Sequence, residues 1–327
     1  MMQRIGIAIG AGLAAALLFA LTAKDTMLAA TLASLAPLPI VIATLGWGLD
    51  MGALAAAVAG VAAAALVDPV SGVLFAATIA LPSWILCFAA LQPLERFYPR
   101  AAAMGGQKTW FPIGGIVAFA AIIGAVIGLS LLATQILAYG GYRKSVESIA
   151  AAWIPDLKEA FDGVVALPDG VTIENLAAMA VRLKPAILAA STCLMLCANL
   201  YAGARAVQMS ERLRRPWPNL PEALVLPRIL GVGLVACAGL AVTLRGSGAD
   251  VAWIGVGALG CAYAMQGLAV IHSLSRGLPV RVPALVALYL GCFFTALLSL
   301  PALALVGLIE TMLSLRARRA AAANVKS

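Results

Sequence analysis

The sequence predicts an all-α protein, a polytopic transmembrane helical bundle of about ten spans with one external amphipathic helical segment. Three observations carry this. Of its 327 residues, 63% are hydrophobic and only 11% are charged, where a soluble domain carries about 25% charged residues. The apolar residues fall in repeated uncharged runs of about 17–25 residues, the length a helix needs to cross a hydrocarbon core of about 30 Å. Lys and Arg gather near the ends of those runs. No soluble fold covers so much apolar surface, so the bilayer is the solvent and one integral membrane domain over 1–327 is expected.

The runs are read in order. Ile5–Ala23 is the first span, Met27–Leu49 the second, Met51–Val67 the third and Val70–Leu91 the fourth. Trp110–Tyr139 holds the fifth, Pro185–Ala204 the sixth, Ile229–Leu244 the seventh and Val251–Ile271 the eighth. Arg4 and the small residues near Ala23 also fit a cleaved signal peptide, but the many later apolar runs favour a retained first span. The last run, Val282–Leu315, contains Pro301 and Glu310. As one helix it would be about 50 Å long, well over the core thickness. A fold-back near Pro301 gives two short spans and ten in all, with nine or eight as alternatives.

Orientation follows from Lys and Arg in short loops. With Arg4 in the cytoplasm, the loop 92–109 (Arg96, Arg100, Lys108), the loop 205–228 and Arg276 and Arg281 all lie inside. The fold-back also brings Arg316, Arg318, Arg319 and Lys326 inside. This places both termini on the cytoplasmic side of a bacterial inner membrane and accounts for the net charge of +8 without nucleic acid as a partner. The external segment 141–184 carries Val146, Ile149, Ala150, Trp153, Leu157 and Phe161 at helical spacing, with acids elsewhere on the helix. A second short helix is expected to start at Thr172, a good N-cap residue, and to lead into the sixth span at Pro185.

Small residues recur every four positions at Gly6, Gly10 and Ala14 on the first span and at Gly52, Ala56, Gly60 and Ala64 on the third. Gly124 and Gly128 do so on the fifth. Such spacing lets two helix backbones approach closely, so both main faces are read as helix-packing faces.

Catalytic motifs are not found. Gly255-Val-Gly257-Ala-Leu-Gly260 matches the dinucleotide fingerprint but lies inside an apolar helical run, without the strand before it or the acid after it. One histidine and a lone pair of close cysteines, Cys193 and Cys197, do not make a metal site. Asp50 and Asp68 stand about 27 Å apart along one helix, too far for a facing carboxylate pair. No enzyme activity, cofactor or metal is therefore expected.

The candidate ligand-binding residues are polar groups at membrane depth, Glu310, Gln266, Asn199 and His272; Asn199 and Gln266 equally suit hydrogen bonds between helices, His272 an interfacial position, and Glu310 a structural bond or the interface. A polar side chain in hydrocarbon is costly and turns to the bundle interior or a cavity. Glu310 has no Lys or Arg within one turn and is expected to face protein in its neutral form, donating a hydrogen bond to Asn199, Gln266 or a carbonyl. At the cytoplasmic surface, Arg212, Arg214, Arg215 and Trp217 lie in a rigid, proline-rich segment suited to lipid phosphate or a docking partner.

Pro37-Leu-Pro-Ile40 with Gly46-Trp-Gly48, Leu81-Pro-Ser-Trp84 through Glu95-Arg-Phe-Tyr-Pro99, and Arg215-Pro-Trp-Pro-Asn-Leu-Pro221 resemble motifs of the YybS-like membrane proteins, a family of unknown function. That family is distantly similar to the substrate-binding components of energy-coupling-factor vitamin transporters. The resemblance implies a small ligand held within a helical bundle, and a face of small residues, here Gly6, Gly10 and Ala14, meeting a membrane partner protein. This chain has more than the usual six spans and no recognised ligand motif. The first functional expectation is thus a protein that binds or moves a small solute. The second is a non-transporting scaffold for envelope or cell-shape machinery. The lipid bilayer is a partner in both.

Overall fold

The computed structural model describes residues 1–24, 26–93, 110–161 and 170–324. The charges of the 94–109 segment, those of Asp162 and Asp169, and Lys326 lie outside the described residues. Among the described residues the regular structure is helical, joined by turns and short connections, with one isolated bridge between Pro93 and Trp110. Among the described residues, seven helical stretches are long and apolar enough to cross a membrane, and three shorter apolar helices, Arg228–Thr243, Arg281–Phe294 and Leu298–Leu313, accompany them.

The helices divide into two compact units, Met1–Ala120 with Leu194–Leu226 and Ala121–Cys193 with Pro227–Ser327. The first unit begins with α1 (Met2–Ala20). The second span is broken into α2 (Met27–Ala33) and α3 (Pro37–Trp47), because Pro37 and Pro39 supply no N–H to an uninterrupted ladder. Gly48, at φ 114°, then turns the chain into α4 (Leu49–Leu66). That angle is open to glycine and costly for other residues. The fourth span starts at Asp68, whose carboxylate accepts the Val70 and Ser71 N–H groups at 2.9 Å each, and contains α5 (Pro69–Phe75), one π turn (Ala76–Ala80) and α6 (Leu81–Ala90). The π turn stands just before Pro82, whose ring would clash with the carbonyl one α-turn back.

Two long helices carry the unit boundaries within them: α7 (Ile113–Ala138) and α9 (Ile173–Met209). Between them lies the external α8 (Tyr142–Phe161). The short α10 (Leu220–Ala223) ends the first unit. In the second unit follow α11 (Arg228–Thr243), α12 (Ser247–Leu274), α13 (Arg281–Phe294), α14 (Ala296–Leu313) and the terminal α15 (Leu315–Asn324).

Three expectations about elements are corrected. The last apolar run does divide into two helices, but the break is at Thr295, not Pro301. Pro301 lies inside α14, in its second turn, and is carried within the helix rather than ending it. Thr172 does cap a helix, accepting the Asn175 N–H at 3.2 Å. That helix is no separate short piece: α9 runs through Pro185 for 37 residues, about 55 Å at 1.5 Å per residue. The third correction concerns α1. Its buried side is Ala8, Gly12, Ala15 and Ala16, and a Cβ on Gly12 would come within 2.7 Å of the Ala55 carbonyl. Gly6, Gly10 and Ala14 are exposed, with nothing within 4 Å of a Cβ at either glycine. Four-residue spacing of small residues recurs on both sides of α1, and only the Ala8–Gly12 side meets a neighbouring backbone.

On α4, Gly52 lies against Thr44, Gly60 against Ala76, and Ala64 against Gly72, while Ala56 is half-buried at the edge of an alanine-rich core. In the second unit Gly124 and Gly128 of α7 meet the Ala189 and Pro185 carbonyls of α9. Glycine contacts also order the C-terminal helices. Gly267 of α12 lies directly against the Leu303 carbonyl, and Gly307 of α14 against the Tyr263 carbonyl, with no room for a Cβ at either. These backbones touch directly, so dispersion rather than hydrophobic transfer holds them. Two of the three fingerprint-like glycines of α12 serve the same purpose: Gly255 abuts Cys237 and Gly257 abuts the Ala186 carbonyl, while Gly260 faces open space.

Candidate functional site

The four residues expected to bind a ligand are each taken up by neighbours in their own unit. Gln266 is fully buried, and its Nε2 donates to the Gly307 carbonyl at 2.6 Å and to Thr311 Oγ1 at 2.7 Å. The glycine contact between α12 and α14 brings that carbonyl within reach. His272, near the end of α12, shares a hydrogen bond of 2.8 Å between Nε2 and the Tyr289 hydroxyl. In the first unit, Asn199 Nδ2 donates to the Ser34 carbonyl at 2.9 Å and to its own helix at Met195 (2.8 Å). Ser34 offers that carbonyl because α2 stops there. The Asn199 Oδ1 is buried without a donor.

Glu310 departs from the expectation. It faces protein and is buried, but it is paired with a base rather than isolated from one. Arg316 Nε donates to its Oε1 at 2.8 Å, and the Arg316 backbone N–H approaches Oε2 at 3.4 Å. Both side chains are about nine-tenths or more withdrawn from solvent, at 10% and 7% exposed. The reason is local. Ser314 takes a left-handed conformation (φ 50°, ψ 51°) that ends α14, and the reversal folds Arg316 back onto the last helical turn. Counting residues per helical turn could not anticipate a partner six positions on.

The basic surface segment is partly interior. Arg212 stacks on Trp47, 4.9 Å from the ring centroid. Arg215 is 4% exposed and donates from Nη1 to the Ala90 carbonyl at 2.8 Å. Its Nε and the neighbouring Trp217 Nε1 are buried without acceptors. Burial pushes the Arg215 guanidinium down to about 10, still charged at neutral pH.

A third cluster was missed by reading the sequence. Asp250, in the first turn of α12, is 1% exposed. The Tyr142 hydroxyl donates to its Oδ2 at 2.7 Å, and Arg182 Nε donates to Oδ1 at 3.2 Å. Three helices, α8, α9 and α12, thus meet on one carboxylate. Burial first, then the Asp250 carboxylate, raises the Tyr142 hydroxyl to about 12, so it stays a donor at physiological pH. The same contact seats α8. Its apolar side, with Val146, Ile149, Ala150, Trp153 and Leu157, packs on Ala177 and Val181 of α9, and Lys184 lies over Trp153 at 4.9 Å. Asp250 abuts an apolar run and reads in sequence as an ordinary loop acid; an acid, an arginine and a tyrosine bordering three separate runs were the available signal.

A bundle of membrane-length apolar helices, with most of its buried polar side chains bonded within the bundle, defines a multi-pass helical membrane protein. Residues 13–311 match the family described as predicted membrane protein, DUF2232, and the chain belongs to that family. No curated protein and no solved structure gives a significant match.

Proposed function

We propose that this protein is a non-transporting, non-enzymatic scaffold of a bacterial inner membrane. The observation that carries the reading is the use of Gln266. A residue lining a solute path needs a polar atom turned to the path, whereas Gln266 spends its amide N–H groups on α14 where the glycine backbones touch. Beside it the second unit has an open groove of about 610 Å³, mostly apolar, lined by Gly231, Val232, Val235, Ala236, Leu308 and Met312, with Arg228 and the Gln266 partner Thr311 as its polar members. Apolar grooves of this kind accept a helix by side-chain interdigitation.

The test uses rescue of a deletion strain together with the amount of folded protein in the membrane. Gln266→Met keeps volume and removes the amide. Val232→Trp with Val235→Trp fills the groove. The scaffold reading expects rescue to follow folded amount in the first variant and to fail in the second despite normal folding. Folded Gln266→Met that does not rescue, with rescue by the filled groove, overturns it.

One observation favours the other reading, a protein that binds or moves a small solute with a partner. Asn199 Oδ1 is a buried acceptor with no donor, and such a group costs about 1–3 kcal/mol unless something pairs with it. The resemblance to YybS-like proteins and to energy-coupling-factor components belongs with this reading, in which the exposed Gly6–Gly10–Ala14 side of α1 would meet the coupling partner. Asn199→Leu distinguishes the two: a more stable, fully active variant supports the scaffold, and a stable, inactive one supports solute handling.

A further inference from the structure

At the end of the first unit where α1 begins and α3 stops, a cavity of about 210 Å³ is lined by Gln3, Arg4, Gly46, Trp47, Arg212 and Arg214. Its arginines arrive from opposite parts of the chain. Arg4 comes from the first turn of α1, and its Nη2 donates to the Trp47 carbonyl. Arg212 and Arg214 follow α9. That helix ends in a tight reversal: Glu211 adopts φ 57°, and the Arg212 N–H reaches back to the Val207 carbonyl at 3.2 Å. A non-glycine residue in this region costs about 1 kcal/mol or more, so surrounding contacts hold it there. The reversal swings Arg212 over the Trp47 ring, which fixes the plane of its guanidinium.

The charge balance is one-sided. Arg4 stands 3.9 Å from Asp50, an exposed pair, and Asp50 does not line the cavity. Among the described residues no carboxylate is within salt-bridge distance of Arg212 or Arg214. The same connection goes on to the buried Arg215 and Trp217, whose Nε and Nε1 donors are unmatched. A guanidinium held over a tryptophan with a second, exposed one beside it, neither facing a carboxylate, suits a tetrahedral oxyanion, because forked N–H groups engage two oxygens at once.

We propose that this cavity is a binding site for a phosphate group. Its position favours phosphate carried by an anionic phospholipid. It lies where two candidate spans, Met2–Ala23 and Met27–Trp47, begin and end, at the level of headgroups and of interfacial tryptophan.

The full-length protein, purified in neutral detergent, is titrated with phosphatidylglycerol, with diacylglycerol of the same chains and with inorganic phosphate, and bound ligand is counted by native mass spectrometry. Phosphatidylglycerol is expected to bind and diacylglycerol not. Arg212→Gln with Arg214→Gln is expected to weaken phosphatidylglycerol roughly thirty-fold, from the attraction per basic side chain at a membrane surface. Arg214→Gln alone removes an exposed side chain and serves if the double variant folds poorly; about five-fold weaker binding is expected on the same basis. Arg143→Gln, on α8, should change nothing. Inorganic phosphate bound as tightly, with the same arginine dependence, supports the site and assigns it to a soluble phosphate. Phosphatidylglycerol bound no better than diacylglycerol, with no phosphate binding, overturns the proposal. So does binding unaffected by loss of Arg214 and Arg212.

Discussion

At Glu310 and Arg316 the two side chains are buried together, so removing one leaves the other's charge without compensation. Breaking a buried pair in this way costs about 3–5 kcal/mol, whereas replacing both partners with apolar groups is often neutral. Glu310→Gln is therefore expected to lower the thermal midpoint in detergent strongly, and Glu310→Gln with Arg316→Met to recover most of it. A single glutamine variant as stable as the parent would show that the pair contributes nothing. Asp250 is the second such residue. Asp250→Asn keeps the shape but weakens the acceptor for Tyr142 and Arg182, at a cost of about 1.5–3 kcal/mol for hydrogen bonds to a charged group. Because α8 is held by this contact, faster proteolysis within α8 is the expected readout, and unchanged cleavage would count against it.

Among the elements, glycine contacts set where helices touch. A methyl group on Gly267 meets the Leu303 carbonyl, and neither backbone can yield by turning a side chain. Gly267→Ala should therefore destabilise the α12–α14 pair by about 1–3 kcal/mol or more, the usual cost of overpacking. On α4, Gly60 faces the Ala76 side chain with a Cβ distance of 3.0 Å, so Gly60→Leu should lower folded yield, while Gly10→Leu on the open side of α1 should leave the monomer's stability unchanged. Thermal unfolding in detergent separates the three. The start of α5 adds a pH dependence. The capping bonds from Ser71 and Val70 hold the Asp68 carboxyl below its ordinary value. A depressed acid stabilises the folded chain above the unfolded value, near 4, and that stabilisation is lost as pH falls through the folded value. Between pH 7 and pH 3 the parent should thus lose more stability than Asp68→Asn, which caps without a charge.

For the whole molecule, the end of the chain is tied to the segment after α12: Arg319 Nη2 donates to the Arg276 carbonyl at 3.1 Å. The terminal helices therefore come back to the side where Arg276 and Arg281 lie. If Lys and Arg mark the cytoplasmic face, a reporter fused after Ser327 that is active only outside the cytoplasm should be silent. Activity there would invert the orientation or reduce the number of crossings. The helical membrane class and the approximate spans were legible from sequence because hydrophobicity sums along the chain and needs no knowledge of neighbours. The capping role of Thr172 and the amphipathic side of α8 were legible for a similar reason, since both act within a few residues. The partners of the polar groups were not. Arg316 reaches Glu310 only because Ser314 reverses the chain, Asp250 gathers Tyr142 and Arg182 from two other helices, and α1 buries Gly12 rather than Gly10 because Ala55 comes up on that side. The sequence by itself determined that this chain lives in a membrane as helices. Only the tertiary structure decided which faces meet and which charges pair, because those depend on distances between segments far apart along the chain.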